Sequence, residues 1–150
     1  MLRGRLPLAG AVFAAGAWLL LAAMPSATAQ SWPKAEIAQY AGTFGGKTYV
    51  MKLQGLGSTL VYAAPDRRAY VVRSLTSKVY PGSWEITYSM SNRSVAACIR
   101  GPGSEQCVPQ SVVRSFPAKA GDIFGLAGRR TLDRPLPVSF GFADIARAVR

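Results

Sequence analysis

The sequence contains no histidine and few acidic residues: among 150 residues, 18 are Lys or Arg and only 7 are Asp or Glu. Without histidine, nucleophilic catalysis lacks its usual base, and one of the common metal ligands is missing. The acids are scattered, so no pair of carboxylates for hydrolysis is indicated. We therefore predict a protein that is not an enzyme and has no cofactor and no metal site. An enzyme of unfamiliar type, with a pocket around Glu85, is the less favoured alternative.

Cysteine is also scarce, with Cys98 and Cys107 the only two. Their spacing is not the C-x-x-C of thiol redox motifs. The residues between them include Gly101, Pro102 and Gly103, which favour a turn between two strands. In an exported chain we expect the two cysteines to form a disulfide. Closing so short a loop contributes about 2–3 kcal/mol on the chain-entropy model.

Long apolar runs are confined to the N-terminus. Arg3 and Arg5 precede an apolar run over residues 6–24, and the small residues 27–29 (Ala-Thr-Ala) match a signal-peptidase site with cleavage before Gln30. This order of features is typical of a secretory signal.

We accordingly predict a signal peptide at residues 1–29 and a single β-rich mature domain at residues 30–150. The predicted location is periplasmic or secreted, with no transmembrane span after cleavage. The alternative is that the apolar run is retained as an anchor, since its length approaches the roughly 20 residues that span a bilayer.

Apolar residues alternate with a period of two through much of the mature segment, which predicts strands at 8–12-residue spacing. The expected fold class is all-β, a small antiparallel barrel or sandwich with a disulfide hairpin and a short C-terminal helix over residues 143–150. Residues 30–33 are predicted to be flexible and residues 35–40 to form one helical turn. Strands are predicted at residues 49–53, 60–62, 69–74, 84–90, 95–100, 108–116 and 136–142.

One stretch, residues 41–48 (Ala-Gly-Thr-Phe-Gly-Gly-Lys-Thr), formally matches a relaxed phosphate-binding loop. Such a loop must follow a strand and open a helix so that backbone N–H groups can hold the phosphates. Here a strand is predicted to follow, so a glycine turn leading into that strand is the favoured interpretation.

The net charge of +11 falls to +9 once Arg3 and Arg5 leave with the signal peptide. A surface this basic attracts anionic partners such as lipopolysaccharide, lipid headgroups or acidic polysaccharide. No polybasic run is present, so a nucleic-acid partner is not expected. The alternative is that the charge only maintains solubility. Candidate residues for binding an anion or a partner are Arg67, Arg68, Arg73, Lys78, Arg93 and Arg100.

Five aromatic residues lie among these cations in the sequence and could stack on sugars or bases: Tyr62, Tyr70, Tyr80, Trp84 and Tyr88. The alternative is that the aromatic residues are core and the arginines face water. That alternative is favoured for Trp84, because its strand alternates as a buried face does.

Two segments resemble the invasion-associated locus B family. Residues 136–143 (Leu-Pro-Val-Ser-Phe-Gly-Phe-Ala), followed by a short helix, resemble its closing segment, and residues 84–88 with Cys98 downstream resemble an earlier part. Tyr88 stands where that family has a cysteine. The resemblance implies an exported proteobacterial protein with a β-rich fold, linked to host-cell invasion and without known catalysis. It assigns no functional residue.

Together these features predict an exported, non-enzymatic protein with a binding or structural role toward an anionic envelope component or a protein partner. The alternative is an inhibitor or interaction module that acts on another exported protein through the disulfide hairpin, residues 100–107.

Overall fold

The computed structural model describes residues 28–53 and 57–149. The predicted signal peptide lies outside these residues except for its last two positions. The chain begins with helix α1 (Thr28–Phe44) and continues with strands β1 (Lys47–Leu53), β2 (Gly57–Ala63), β3 (Arg68–Arg73), β4 (Tyr80–Ser89), β5 (Ser94–Gly101) and β6 (Ser104–Pro109). Helix α2 (Gln110–Val113), strand β7 (Ala118–Ala120), a 3-10 turn (Leu126–Gly128) and helix α3 (Phe142–Ala148) follow.

The seven strands form one antiparallel sheet in the order β6-β5-β4-β3-β2-β1-β7, and the sheet curls into a half-barrel. Strands β1 to β6 are a meander of successive hairpins, and β7 pairs with the free side of β1. A disulfide joins Cys98 and Cys107, which face each other in the β5–β6 register. The predicted fold class, including the disulfide hairpin and the C-terminal helix, is confirmed.

Each face of the sheet is covered by a different kind of structure. The face that carries Trp84, here called the helix-covered face, packs against α1 and α2. The opposite face, here called the tail-covered face, packs against residues 122–149, here called the C-terminal tail. Two apolar clusters result, one on each face, with the sheet between them.

Helix α1 is longer than its predicted single turn. Ile37, Tyr40, Ala41 and Phe44 recur at helical spacing and pack on the sheet, which is the pattern of an amphipathic helix. The helix also includes residues 30–33, where a flexible start was predicted. None of the described helices has the length and apolar character needed to cross a membrane.

Trp84 lies at the centre of the helix-covered face and is 3% exposed. Its indole Nε1–H donates to the Ala64 carbonyl at 2.8 Å, and its ring meets the Phe44 ring edge-on at 5.1 Å between centroids. A buried indole needs such a partner for its N–H. The prediction that Trp84 is a core residue is confirmed.

Gly82 marks a close approach between strands. A Cβ added there would lie 1.9 Å from the Arg100 carbonyl oxygen. The residue pair Pro81-Gly82, which reads as a break in the sequence, therefore lies inside β4, where only glycine fits without moving β5.

Two predicted strands are wrong. Over residues 108–116, β6 ends at Pro109 and the chain turns into α2, so that Val113 is buried and Phe116 packs against the same cluster. Over residues 136–142 no strand forms: Leu136 and Phe140 are buried while Val138 is 59% exposed. Pro135 and Pro137 lack the N–H groups that a ladder needs, so this stretch packs through every fourth side chain.

Candidate anion-binding surface

The six candidate cations do not form one patch. Arg67 lies in the turn between β2 and β3 and Arg68 begins β3, but their side chains have local partners. The Arg67 guanidinium lies over the Trp84 ring, 4.4 Å from its centroid, and covers the indole. Arg68 forms an ion pair with Asp66 at 2.6 Å, and that hydrogen bond lowers the pKa of the Asp66 carboxyl. Both arginines are therefore engaged within the chain.

Arg100 is held by two carboxylates on the tail-covered face of the sheet. It contacts Glu85 at 2.5 Å and Glu105 at 3.1 Å. Glu85 is the cross-strand neighbour of Cys98, and Glu105 is that of Arg100 itself. One cation between two acids leaves this cluster without positive charge to offer an anion. Glu85 thus acts as an ion-pair partner of Arg100.

Arg73 and Lys78 are brought together around one aromatic ring, that of Tyr80. The Arg73 guanidinium lies 5.9 Å and the Lys78 ammonium 5.2 Å from its centroid. Both distances are within the range of cation–π attraction. Arg73 also donates to the Ser104 hydroxyl at the tip of the disulfide hairpin. The ring is half-buried, so its exposed part carries two cations beside it.

The backbone of the C-terminal tail runs beside Lys78 and Val79 at this point. The Val79 N–H donates to the Arg130 carbonyl at 2.9 Å, and Lys78 forms a bridge with Thr131. The doublet Arg129-Arg130 is thereby fixed alongside Lys78. We call Arg73, Lys78, Tyr80 and Arg130 the Tyr80 surface. The sequence indicated Tyr80 only as one of five aromatic residues near cations, and Arg130 was not among the candidate residues although the arginine doublet was a visible signal.

The charge balance of the described residues supports this assignment. Four of the seven acids, Asp66, Glu85, Glu105 and Asp144, are in ion pairs with only three cations, Arg68, Arg100 and Arg147. No described carboxylate is in ion-pair contact with Arg73, Lys78 or Arg130. The remaining candidate, Arg93, lies in the turn between β4 and β5 with a positive φ of 49° and is exposed.

The disulfide hairpin is short and rigid. Gly101 pairs with Ser104 across the two-residue turn Pro102-Gly103, and Gly103 has φ 72°. Proline followed by a glycine of positive φ is the signature of a type II turn. Cys98, Glu105 and Cys107 are the one group of metal-ligand types that the described part of the chain brings together. The two sulfur atoms are bonded to each other and so are not thiolates.

The phosphate-loop match at residues 41–48 has the reverse of the required order. Helix α1 ends at Phe44, Gly45 and Gly46 make the turn, and Lys47 and Thr48 already belong to β1. A helix therefore precedes the glycines and a strand follows them, so no helix N-terminus points at the loop. The prediction of a glycine turn leading into a strand is confirmed.

The other aromatic residues divide between the two clusters. Tyr62 and Tyr70 stack on each other at 6.1 Å and pack against the tail, and Tyr88 packs at the edge of the helix-covered cluster. Lys119 lies 5.1 Å from the centroid of the Phe142 ring, which thus has one neighbouring cation where Tyr80 has two.

Comparison of the chain with protein-family models, with curated proteins and with solved structures gave no match. The chemistry of the site is therefore argued from this chain's own residues.

Proposed function

We propose that this chain is exported and acts as a non-enzymatic binding protein for an anionic partner in the periplasm or at the cell envelope. The observation that carries the proposal is the Tyr80 surface, where cations without an ion-pair contact to any described carboxylate surround a half-exposed aromatic ring. Such a surface attracts anions by charge and offers a ring face for stacking.

Three further features support the same proposal. The disulfide is of the kind that persists in oxidising compartments. The sequence lacks histidine, and the chain has no free cysteine, so the usual nucleophile–base pairs are missing. The resemblance of residues 136–143 to the invasion-associated locus B family also points to an exported protein without catalysis.

The test of binding is retention of the purified protein on lipopolysaccharide and on vesicles that contain anionic lipid. We expect retention that falls steeply as salt is raised, because salt screens exposed charges over about 10 Å at 0.1 M. The variant Arg73→Gln/Lys78→Gln should lose most of that retention. The variant Arg93→Gln/Arg134→Gln removes the same charge from exposed positions elsewhere and should retain more.

Retention that is absent, or that does not respond to salt, would contradict an electrostatic role. Equal loss in the two double variants would show that net charge acts without the Tyr80 surface. Export is tested separately by mass spectrometry of the periplasmic fraction, where the chain should begin at Gln30 and contain the disulfide. An intact, reduced chain in the cytosol would contradict export.

A second candidate function is an interaction module that uses the hairpin to block another exported protein. The observation that favours it is that β6 is the outermost strand on its side of the described sheet, so its outer edge pairs with no described strand. Unpaired edges can accept a strand from a partner. Replacing both cysteines with serine should abolish this activity while charge-driven adsorption mostly survives.

A further inference from the structure

A cleft of about 660 Å³ lies between α1, the start of β1 and α2. It is separate from the Tyr80 surface and shares none of its residues. Its size is in the range of small-molecule sites. Helix α1 lines one side with residues that recur at helical spacing, so a single helix face points into it: Glu36, Gln39, Tyr40 and Thr43. The other walls come from Lys47, Gln110, Arg114 and Phe116, among others.

Two polar atoms in the wall of this cleft have no hydrogen-bond partner. The Tyr40 hydroxyl and the Glu36 Oε2 atom are both sealed from solvent and unpartnered. Tyr40 is only 4% exposed, and leaving a buried polar group unpaired is unfavourable. Tyr49, the neighbouring tyrosine, differs, because its hydroxyl donates to the Phe44 carbonyl at 2.9 Å. Thr59 Oγ1, on β2, is also buried without a partner but lies outside the cleft, so the cleft holds two of the three such atoms among the described residues.

The two unpartnered atoms require different hydrogen-bond partners: an acceptor for the Tyr40 hydroxyl and a donor for Glu36 Oε2. Burial raises the pKa of the Tyr40 hydroxyl to about 12, and the nearby Arg114 charge opposes that shift only in part. The hydroxyl therefore keeps its proton at physiological pH and can donate to an oxygen. The Glu36 carboxylate oxygen accepts, so it requires an O–H or N–H donor.

The charged residues that line the cleft set a third requirement for a ligand. Arg114 and Lys47 both line the cleft, against one acid, Glu36. A ligand that satisfies the whole set carries an anionic group for the cations, hydroxyls that both donate and accept, and an apolar face for Phe116 and Val113. A sugar with a carboxylate or phosphate group has all three.

We propose that the cleft between α1 and α2 binds an acidic sugar, with its anionic group toward Arg114 and Lys47 and its hydroxyls toward Tyr40 and Glu36. The proposal does not depend on the Tyr80 surface, and each can fail without the other.

The experiment is calorimetric titration of the purified protein with galacturonic acid and with glucose 6-phosphate, which distinguish a carboxylate from a phosphate. Glucose, which lacks the anionic group, and acetate, which lacks the sugar, are the matched controls. We expect at least one acidic sugar to bind more tightly than both controls. Tyr40→Phe and Arg114→Gln should each weaken that binding about tenfold or more, since each removes a hydrogen bond to a polar or charged group.

Two further readouts separate binding from folding. Tyr40→Phe removes an unpartnered hydroxyl, so the melting temperature without ligand should stay the same or rise while affinity falls. Arg134→Gln, an exposed charge change that does not line the cleft, should bind as the original does. Equal binding of glucose, acetate and the acidic sugars, or full affinity in Tyr40→Phe, would overturn the proposal.

Discussion

The two faces of the sheet are buried by different means. On the helix-covered face, α1 and α2 pack apolar side chains on the strands, and the Phe44 ring contacts three other aromatic rings, those of Tyr40, Tyr49 and Trp84. On the tail-covered face, a mostly irregular tail packs apolar side chains on the strands at intervals along its length. Those that are 6% exposed or less include Leu126, Leu132, Leu136, Phe140 and Ile145. Both faces carry a buried apolar cluster, but only the helix-covered face packs against a long regular helix.

The difference teaches how an irregular segment can complete a core. The tail's backbone bonds to the loop between β3 and β4: Leu75 N–H donates to the Leu136 carbonyl at 2.7 Å, and Leu132 N–H to the Ser77 carbonyl at 2.7 Å. These bonds satisfy backbone groups that a helix would satisfy internally. The tail therefore depends on the sheet for its shape, whereas α1 has its own hydrogen bonds.

The largest effect is expected from Trp84→Ala on the helix-covered face. Loss of a buried indole should lower the free energy of unfolding by about 4 kcal/mol, measured by urea denaturation. The loss should be global, because the ring contacts both the sheet and α1. Trp84→Phe, which keeps most of the apolar volume but removes the donor to Ala64, is the graded control and should cost less. Equal stability of Trp84→Ala and the original chain would contradict the central role of this ring.

Leu136→Ala tests the tail-covered face and should cost about 3 kcal/mol. Because the tail's regular bonds are few, we expect amide exchange to accelerate across residues 122–149 more than in β1 to β5. Val138→Ala, at a position 59% exposed in the same segment, is the matched control and should change stability by less than about 0.5 kcal/mol. Uniform acceleration of exchange throughout the sheet would show that the two faces unfold together.

Cys98→Ser/Cys107→Ser removes the crosslink between β5 and β6, the last two strands at one edge of the sheet. The expected loss is about 2 kcal/mol, since the bond closes a short loop. Reduction of the original chain should produce the same loss, which thermal melts with and without reductant would measure. A larger loss would indicate that β6 itself needs the disulfide to pair.

The smallest effect is expected from Asp144→Asn at the start of α3. The hydrogen bond from the Gly141 N–H has the larger effect and the one from Arg147 the smaller, and together they lower the pKa of the Asp144 carboxyl below its ordinary 3.8. A lowered folded pKa means that the charge stabilises the fold above the ordinary value and ceases to do so as the pH falls through the folded pKa. The melting temperature of Asp144→Asn should therefore be lower than that of the original at neutral pH, and the two should converge below pH 3.8. A constant difference would exclude a charge effect.

Prediction from sequence succeeded where local pattern and final environment agree. The alternation around Trp84 predicted β4, because successive side chains of a strand point to opposite faces of the sheet. The Cys98–Cys107 spacing predicted the disulfide hairpin, because the glycines and proline between the cysteines favour a tight turn. It failed at residues 110–116 and 136–142, where apolar residues look alternating but the inward positions are three or four apart. Prolines 109, 135 and 137 were the available signals.

For the candidate sites too, the sequence indicated some of the residues and only the structure showed the rest. The sequence indicated Arg73 and Lys78 as candidate cations, but it gave equal weight to three arginines that have partners within the chain. These are Arg67, which lies over Trp84, Arg68, which pairs with Asp66, and Arg100, which pairs with two glutamates. Only the tertiary structure places Tyr80 between Arg73 and Lys78. The path of the tail past β4 brings the backbone of Arg130 beside Val79. The cleft at Tyr40 had no sequence signal, since its walls come from residues about 70 positions apart.

By itself the sequence determined the strand period, the disulfide pair and the excess of positive charge, because these follow from composition and from contacts near in the chain. The tertiary structure alone decided which cations remain outside ion pairs, what covers each face and where polar atoms lack partners. Those outcomes depend on which distant residues pack together, and the local period of a strand or a helix does not specify that.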